Sequence, residues 1–168
     1  MSVRQQQQQP RALTVKDERP SVDLPLVRGR ARLLLALAAL LALVGLADAL
    51  YLTINHLTGQ TARCTVSGGC NEVLGSSYAS VGGVPIAALG AAAYFTVFSL
   101  ATLALFGYRR ARTLLHFLVA LMLLTSLWLL FVQAFVLHKY CDYCLLSAAV
   151  TLLLSGILVA LRFMRADE

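Results

Sequence analysis

Charge is scarce in this chain. Of its 168 residues, 13% are Asp, Glu, Lys or Arg and 59% are hydrophobic, with a mean hydropathy of +0.75. A soluble domain of this length needs far more charge to cover its surface, so the scarcity excludes one. Also missing is the 3.6- or 2.0-residue alternation of half-buried helices and strands. No internal repeat is evident. What the chain has instead is four long apolar blocks, each meeting or approaching the roughly 20 residues a helix needs to cross a bilayer core. The expected fold is an all-α integral membrane protein, a four-transmembrane-helix bundle with an outer capping loop.

The formal charge of +6 is read by position. Arg28, Arg30 and Arg32 precede the first block, Arg109, Arg110 and Arg112 separate the second from the third, and Arg162 and Arg165 follow the fourth. Basic residues in short loops mark the cytoplasmic face. They therefore report orientation and leave no nucleic-acid footprint. Both termini are expected in the cytoplasm, in a multi-pass protein of the inner (cytoplasmic) membrane in contact with lipid.

Residues 1–30 hold the Gln5–Gln9 run and Pro10, Pro20 and Pro25. Such a segment buries too little apolar area to offset chain entropy, which predicts a disordered cytoplasmic tail. Residues 31–164 form the transmembrane domain, with spans at about 33–52, 85–107, 113–137 and 141–161, and 165–168 form a cytoplasmic C-terminus. Ala47-Asp48-Ala49 resembles a signal-peptidase site, but the length of the apolar run and Leu50-Tyr51-Leu52 beyond it favour a retained helix. The loop from His56 to Gly83 is the longest internal connection, which favours a functional cap over a linker.

Four cysteines occur, none in the middle of a span: Cys64 and Cys70 in the first outer loop, Cys141 and Cys144 at the start of the fourth block. Both pairs fall on the face where disulfides form and persist. The positive end of a helix stabilises a thiolate, and Cys-x-x-Cys pairs have their pKa lowered for this reason. Cys144 lies one turn deeper than Cys141, nearer the hydrocarbon, where a lipophilic quinone has access. The glycine- and serine-rich loop gives Cys64 and Cys70 the mobility to meet a water-soluble partner first and Cys141 second. The expected electron path runs from the partner to Cys64, from Cys70 to Cys141, and from Cys144 to quinone. Two alternatives compete: structural disulfides in a non-enzymatic membrane scaffold or transporter subunit, and a four-cysteine zinc site, which the x5 spacing and oxidising compartment disfavour.

Taken together, Cys64-x5-Cys70, Cys70-Asn-Glu-Val-Leu-Gly-Ser76-Ser-Tyr78, Gly83-Val-Pro85-Ile-Ala-Ala-Leu-Gly90 leading into Tyr94, and Tyr140-Cys141-Asp-Tyr-Cys144 resemble the vitamin K epoxide reductase family, particularly its bacterial homologues. The resemblance covers roughly Arg32 to Phe163. It implies a four-helix bundle around a quinone (menaquinone or ubiquinone), capped by the loop that carries Cys64 and Cys70. It also implies a membrane thiol-disulfide oxidoreductase that reoxidises a thioredoxin- or DsbA-like protein on the outer side. The family roles map onto Cys64, Cys70, Cys141 and Cys144 in the order reached from position, with Ser76 near the quinone. Ile86 and Ala148 stand where the animal enzymes carry an asparagine and a tyrosine associated with vitamin K, which favours ordinary quinone reduction. The chain ends without the thioredoxin-like domain of some bacterial homologues, so a separate donor protein is expected. The DsbB family has the same chemistry but places its two cysteine pairs in the reverse order.

Other residues carry weaker expectations. Asp48, near the outer end of the first span, is expected at the exposed interface, with proton handling or loop anchoring as the alternative. His56 and His138 read as solvated boundary residues before proton carriers. Gln133 reads as a hydrogen-bonding link across the bundle. Tyr140 and Tyr143 suit the interfacial aromatic belt, and Tyr78, Phe135 and Tyr140 are candidate walls for the quinone pocket.

Overall fold

The computed structural model describes residues 25–60, 68–76 and 78–166. Four helices dominate it: α1 (Pro25–Thr58), α3 (Ile86–Leu105), α4 (Arg109–Phe131, continued by a π-helical turn, Val132–Leu137) and α5 (Asp142–Ala166). A short helix, α2 (Cys70–Leu74), and a hairpin of β1 (Ser80–Val81) and β2 (Val84–Pro85) lie between α1 and α3. All four long helices are long and apolar enough to cross a membrane.

Helix boundaries differ from the sequence reading at the ends. α1 starts at Pro25 and runs through His56 to Thr58, so the last residues of the expected tail are helical and the outer loop starts later. Pro25 opens the helix because its missing N–H has no partner to lose in the first turn. Thirty-four residues span ~50 Å at 1.5 Å per residue, so α1 is longer than the ~30 Å hydrocarbon core is thick. The remainder of the expected tail, residues 1–24, and residues 167–168 lie outside the described residues.

The connections follow from local chemistry. Gly82 and Gly83 both have positive φ, +60° and +83°, the mirror-image turn that matches strand twist, and they close Val81 onto Val84. The hairpin delivers Pro85 as the residue before α3, at φ −60°. At the opposite end Gly107 (φ +92°) ends α3 in a Schellman motif: its N–H reaches the Ala104 carbonyl and that of Tyr108 reaches Leu103. This tight turn sets α4 antiparallel to α3.

Each helix packs on two others, α1 on α3 and α5, α4 on α3 and α5. The α1–α3 seam is built from small residues: Ala38, Ala42 and Ala49 on α1, Ala91, Ala101 and Ala104 on α3, all buried. In lipid, where apolar surfaces gain little from meeting each other, close backbone approach supplies the attraction. Gly45 lets the ring of Tyr94 into this seam; a Cβ there would sit 2.4 Å from the ring. The Tyr94 hydroxyl is 2.8 Å from the Ser147 hydroxyl and 3.0 Å from that of Thr151, and donates to the Ser147 carbonyl at 2.9 Å, linking α3 to α5. Outside the bundle Leu33, Leu40, Phe95, Phe117, Leu124 and Phe163 are well exposed, as a lipid-facing surface demands.

Candidate functional site

The end of the bundle where α1 finishes and α5 begins holds a second, smaller apolar cluster. Leu52, Cys70 and Cys141 are its buried members, with Val73, Leu74, Ala87, Tyr143 and Cys144 packed against them. Cys70 and Cys141, 71 positions apart in the chain, are both completely buried. Arg30, Arg32, Arg109, Arg110 and Arg162 lie towards the other end of the helices.

Two contacts bring α2 to this place. Gly69, just before Cys70, lies so close to the α4–α5 connection that a Cβ would sit 2.7 Å from the Tyr140 carbonyl oxygen. Glu72 pairs with Lys139 at 3.4 Å, both about half exposed, a geometry that contributes little energy but fits the same register. Cys70 is disulfide-bonded, whereas Cys141 and Cys144 are free thiols. Cys64 lies outside the described residues.

Cys141 immediately precedes α5, and its carbonyl accepts the first helical bond, from Leu145, at 3.0 Å. Its sulfur occupies the N-cap position, receiving the Cys144 thiol and the backbone N–H groups of Tyr143 and Cys144. The hydrogen bond from Cys144, aided by these backbone donors, holds Cys141 below the ordinary thiol range. Burial and the nearby charge of Asp48 oppose that shift without reversing it. The backbone N–H of Cys141 donates to Gln133 Oε1 at 3.0 Å.

A cavity of about 440 Å³ opens beside Cys144, walled mostly by apolar side chains from α1, α3, α4 and α5 and by the segment that follows α2. Its volume suits a small-molecule ligand. Ser76 and Tyr78 line it; the Ser76 hydroxyl donates to the Val73 carbonyl at 2.7 Å. Ile86 lines it as well, and Ala148 is buried on α5. Phe135 and Tyr140 are not among its walls. Phe135, in the π turn, is 68% exposed and packs against Phe131 with ring centroids 4.9 Å apart and the planes tilted, while the Tyr140 backbone lies against Gly69.

Three residues exceed their sequence-level reading. Asp48 is 8% exposed and faces the cavity, and neither carboxylate oxygen has a hydrogen-bond partner among the described residues, so the expected interfacial exposure is corrected. Gln133 joins the π turn to the start of α5 beneath Cys141. Tyr94 forms part of the cavity wall. The spacing of Ser147 and Thr151, one turn apart in an apolar span, signals a buried polar partner for Tyr94.

Buried, adjacent cysteines at one end of a membrane-spanning bundle, with a ligand-sized apolar cavity at their side, define a membrane thiol oxidoreductase. The chain matches the Vitamin K epoxide reductase family over residues 36–159 and belongs to it. Membership makes it a multi-pass membrane disulfide oxidoreductase, of a family that works with a quinone and typically a thiol partner.

Proposed function

We propose that this protein oxidises the dithiol of a thioredoxin- or DsbA-like protein on the outer side of the cytoplasmic membrane and reduces a membrane quinone, so driving disulfide formation. The partner dithiol attacks at Cys64, Cys70 exchanges with Cys141, and the Cys141–Cys144 dithiol delivers two electrons to a quinone in the cavity. The segment from Cys70 to Pro85 serves as the cap, and both termini face the cytoplasm. One observation carries this reading: Cys70 and Cys141 are buried together, and Cys144 faces a cavity large enough for a quinone head.

The low-lying thiol supports the order of transfer. Cys70 attacks Cys141 of the Cys141–Cys144 disulfide and releases Cys144, and a stabilised Cys141 thiolate is then the better leaving group when Cys64 closes the Cys64–Cys70 bond. An acceptor at or above the roughly −120 mV of a strongly oxidising DsbA-type partner is needed, or one drained by respiration.

Cys144→Ala is the test. It is expected to trap a Cys70–Cys141 disulfide, read by non-reducing peptide mapping, and to abolish quinol formation. A Cys64–Cys141 bond alone would reverse the loop roles, and undiminished quinone turnover would refute the path.

A further inference from the structure

Reducing a quinone to a quinol requires two protons as well as two electrons, and the cavity offers few ways to move them. Of its polar side chains, the hydroxyls of Ser76, Thr125 and Thr151 donate to backbone carbonyls, and that of Tyr94 is held among Ser147 and Thr151. Gln133 Oε1 is taken by the Cys141 N–H. His56 also lines the cavity but is exposed. Asp48 is different: it is more than nine-tenths buried, it faces the cavity, and among the described residues both its oxygens lack a hydrogen-bond partner.

An unsatisfied carboxyl inside a membrane span is costly and serves no packing purpose. Its position relative to the thiols gives it a use. Asp48 is close enough for its charge to act on both Cys141 and Cys144, and all but Cys141 of these three side chains line the cavity. A negative Asp48 opposes a thiolate on Cys141, so transfer of a thiol proton onto the carboxyl relieves the repulsion between the two groups.

We propose that Asp48 is the proton-transfer residue of quinone reduction, relaying a proton released by the Cys141–Cys144 dithiol to a quinone oxygen. This rests on the quinone-reducing role given above. The balance is closed: two S–H bonds break, the Cys141–Cys144 S–S bond forms, and the electron pair and two protons convert both quinone carbonyls into hydroxyls. Asp48 begins and ends in the same protonation state. Among the described residues the other titratable groups around it are His56 on its own helix, Cys141 just before α5, Tyr143 and Cys144 on α5, Tyr94 on α3, and Tyr78 beyond α2.

The test uses the full chain in lipid vesicles, with a benzoquinone and a naphthoquinone bearing short isoprenoid tails as probes. Asp48→Asn is expected to slow quinol formation by roughly 10²-fold or more, the range of a lost general acid–base group. Its pH–rate profile should also lack a limb that the wild type shows. Asp48→Glu should recover activity to within about tenfold of wild type, the carboxyl being retained. Exchange between Cys70 and Cys141, followed by alkylation without quinone, should not slow in either variant, since losing the Asp48 charge only favours the Cys141 thiolate. Wild-type rate and profile in Asp48→Asn would overturn the proposal. So would equal losses in both variants accompanied by slowed exchange or a lowered melting temperature, the signature of a structural residue. A wild-type protein that reduces neither quinone would remove the broader reading of function, and this inference with it.

Discussion

Gln133 Oε1 accepts the backbone N–H of Cys141 at 3.0 Å, in a buried bond that ties the π-helical end of α4 to the cysteine that opens α5. The π turn rotates Gln133 inward, and His138 follows in the left-handed region (φ +50°), reversing the chain within three residues. π turns interrupt α-helices chiefly where function repays the poorer hydrogen bonding.

Gln133→Met should therefore leave a buried N–H unpaired and destabilise the protein by about 1–3 kcal/mol. Gln133→Glu keeps an acceptor and should lose less. Thermal unfolding in detergent measures both; equal melting temperatures for wild type and Gln133→Met would show that the bond contributes nothing.

Cys141 is held low by the Cys144 thiol first and by backbone donors second. Cys144→Ala removes the first and leaves the others, so the pH at which Cys141 becomes half-reactive should rise. Peptide-resolved alkylation with a small reagent measures this on fully reduced protein carrying Cys70→Ala, where Cys141 cannot be drawn into a bond with Cys70. The sign for stability follows from linkage. A thiol whose folded pKa is depressed contributes stability that is present above its unfolded pKa and lost as pH falls through the lowered folded value. Cys144→Ala should narrow that window from below.

Gly69→Ala places a methyl group 2.7 Å from the Tyr140 carbonyl, and the backbone there has to give. Pushing α2 away from the α4–α5 connection should slow exchange between Cys70 and Cys141 by at least tenfold, about 1.4 kcal/mol of barrier, with neither sulfur altered. Rapid-quench alkylation reads the rate. By contrast Glu72→Gln, which breaks the half-exposed ion pair with Lys139, should cost less than about 1 kcal/mol.

Gly45→Ala drives a methyl into the Tyr94 ring and should destabilise by about 1–3 kcal/mol, the usual range for overpacking. Gly156→Ala, with nothing within 4 Å of the added methyl, is the matched control and should be neutral or slightly stabilising. Similar losses in the two variants would mean that helix packing at Tyr94 does not limit stability.

The membrane class and the four spans were legible in the chain because bilayer insertion depends on a local quantity, apolar length. At the candidate site Cys70 and Cys141 are buried together, and Ser76 and Tyr78, close in sequence to Cys70, line the cavity beside Cys144. Phe135, a candidate wall of the pocket, lies in the π turn and is exposed on the outside of the bundle.

Apolar blocks and arginine clusters alone thus dictated a helical membrane protein, since each helix satisfies its own backbone polar groups whatever its neighbours do. Relations between distant segments required the folded bundle. Cys70 meets Cys141 because Gly69 admits the Tyr140 backbone, Tyr94 enters beside Gly45, and Asp48 turns from an interfacial charge into a buried carboxyl facing a cavity. Burial and partnership are properties of several helices at once, and no single stretch of residues specifies them.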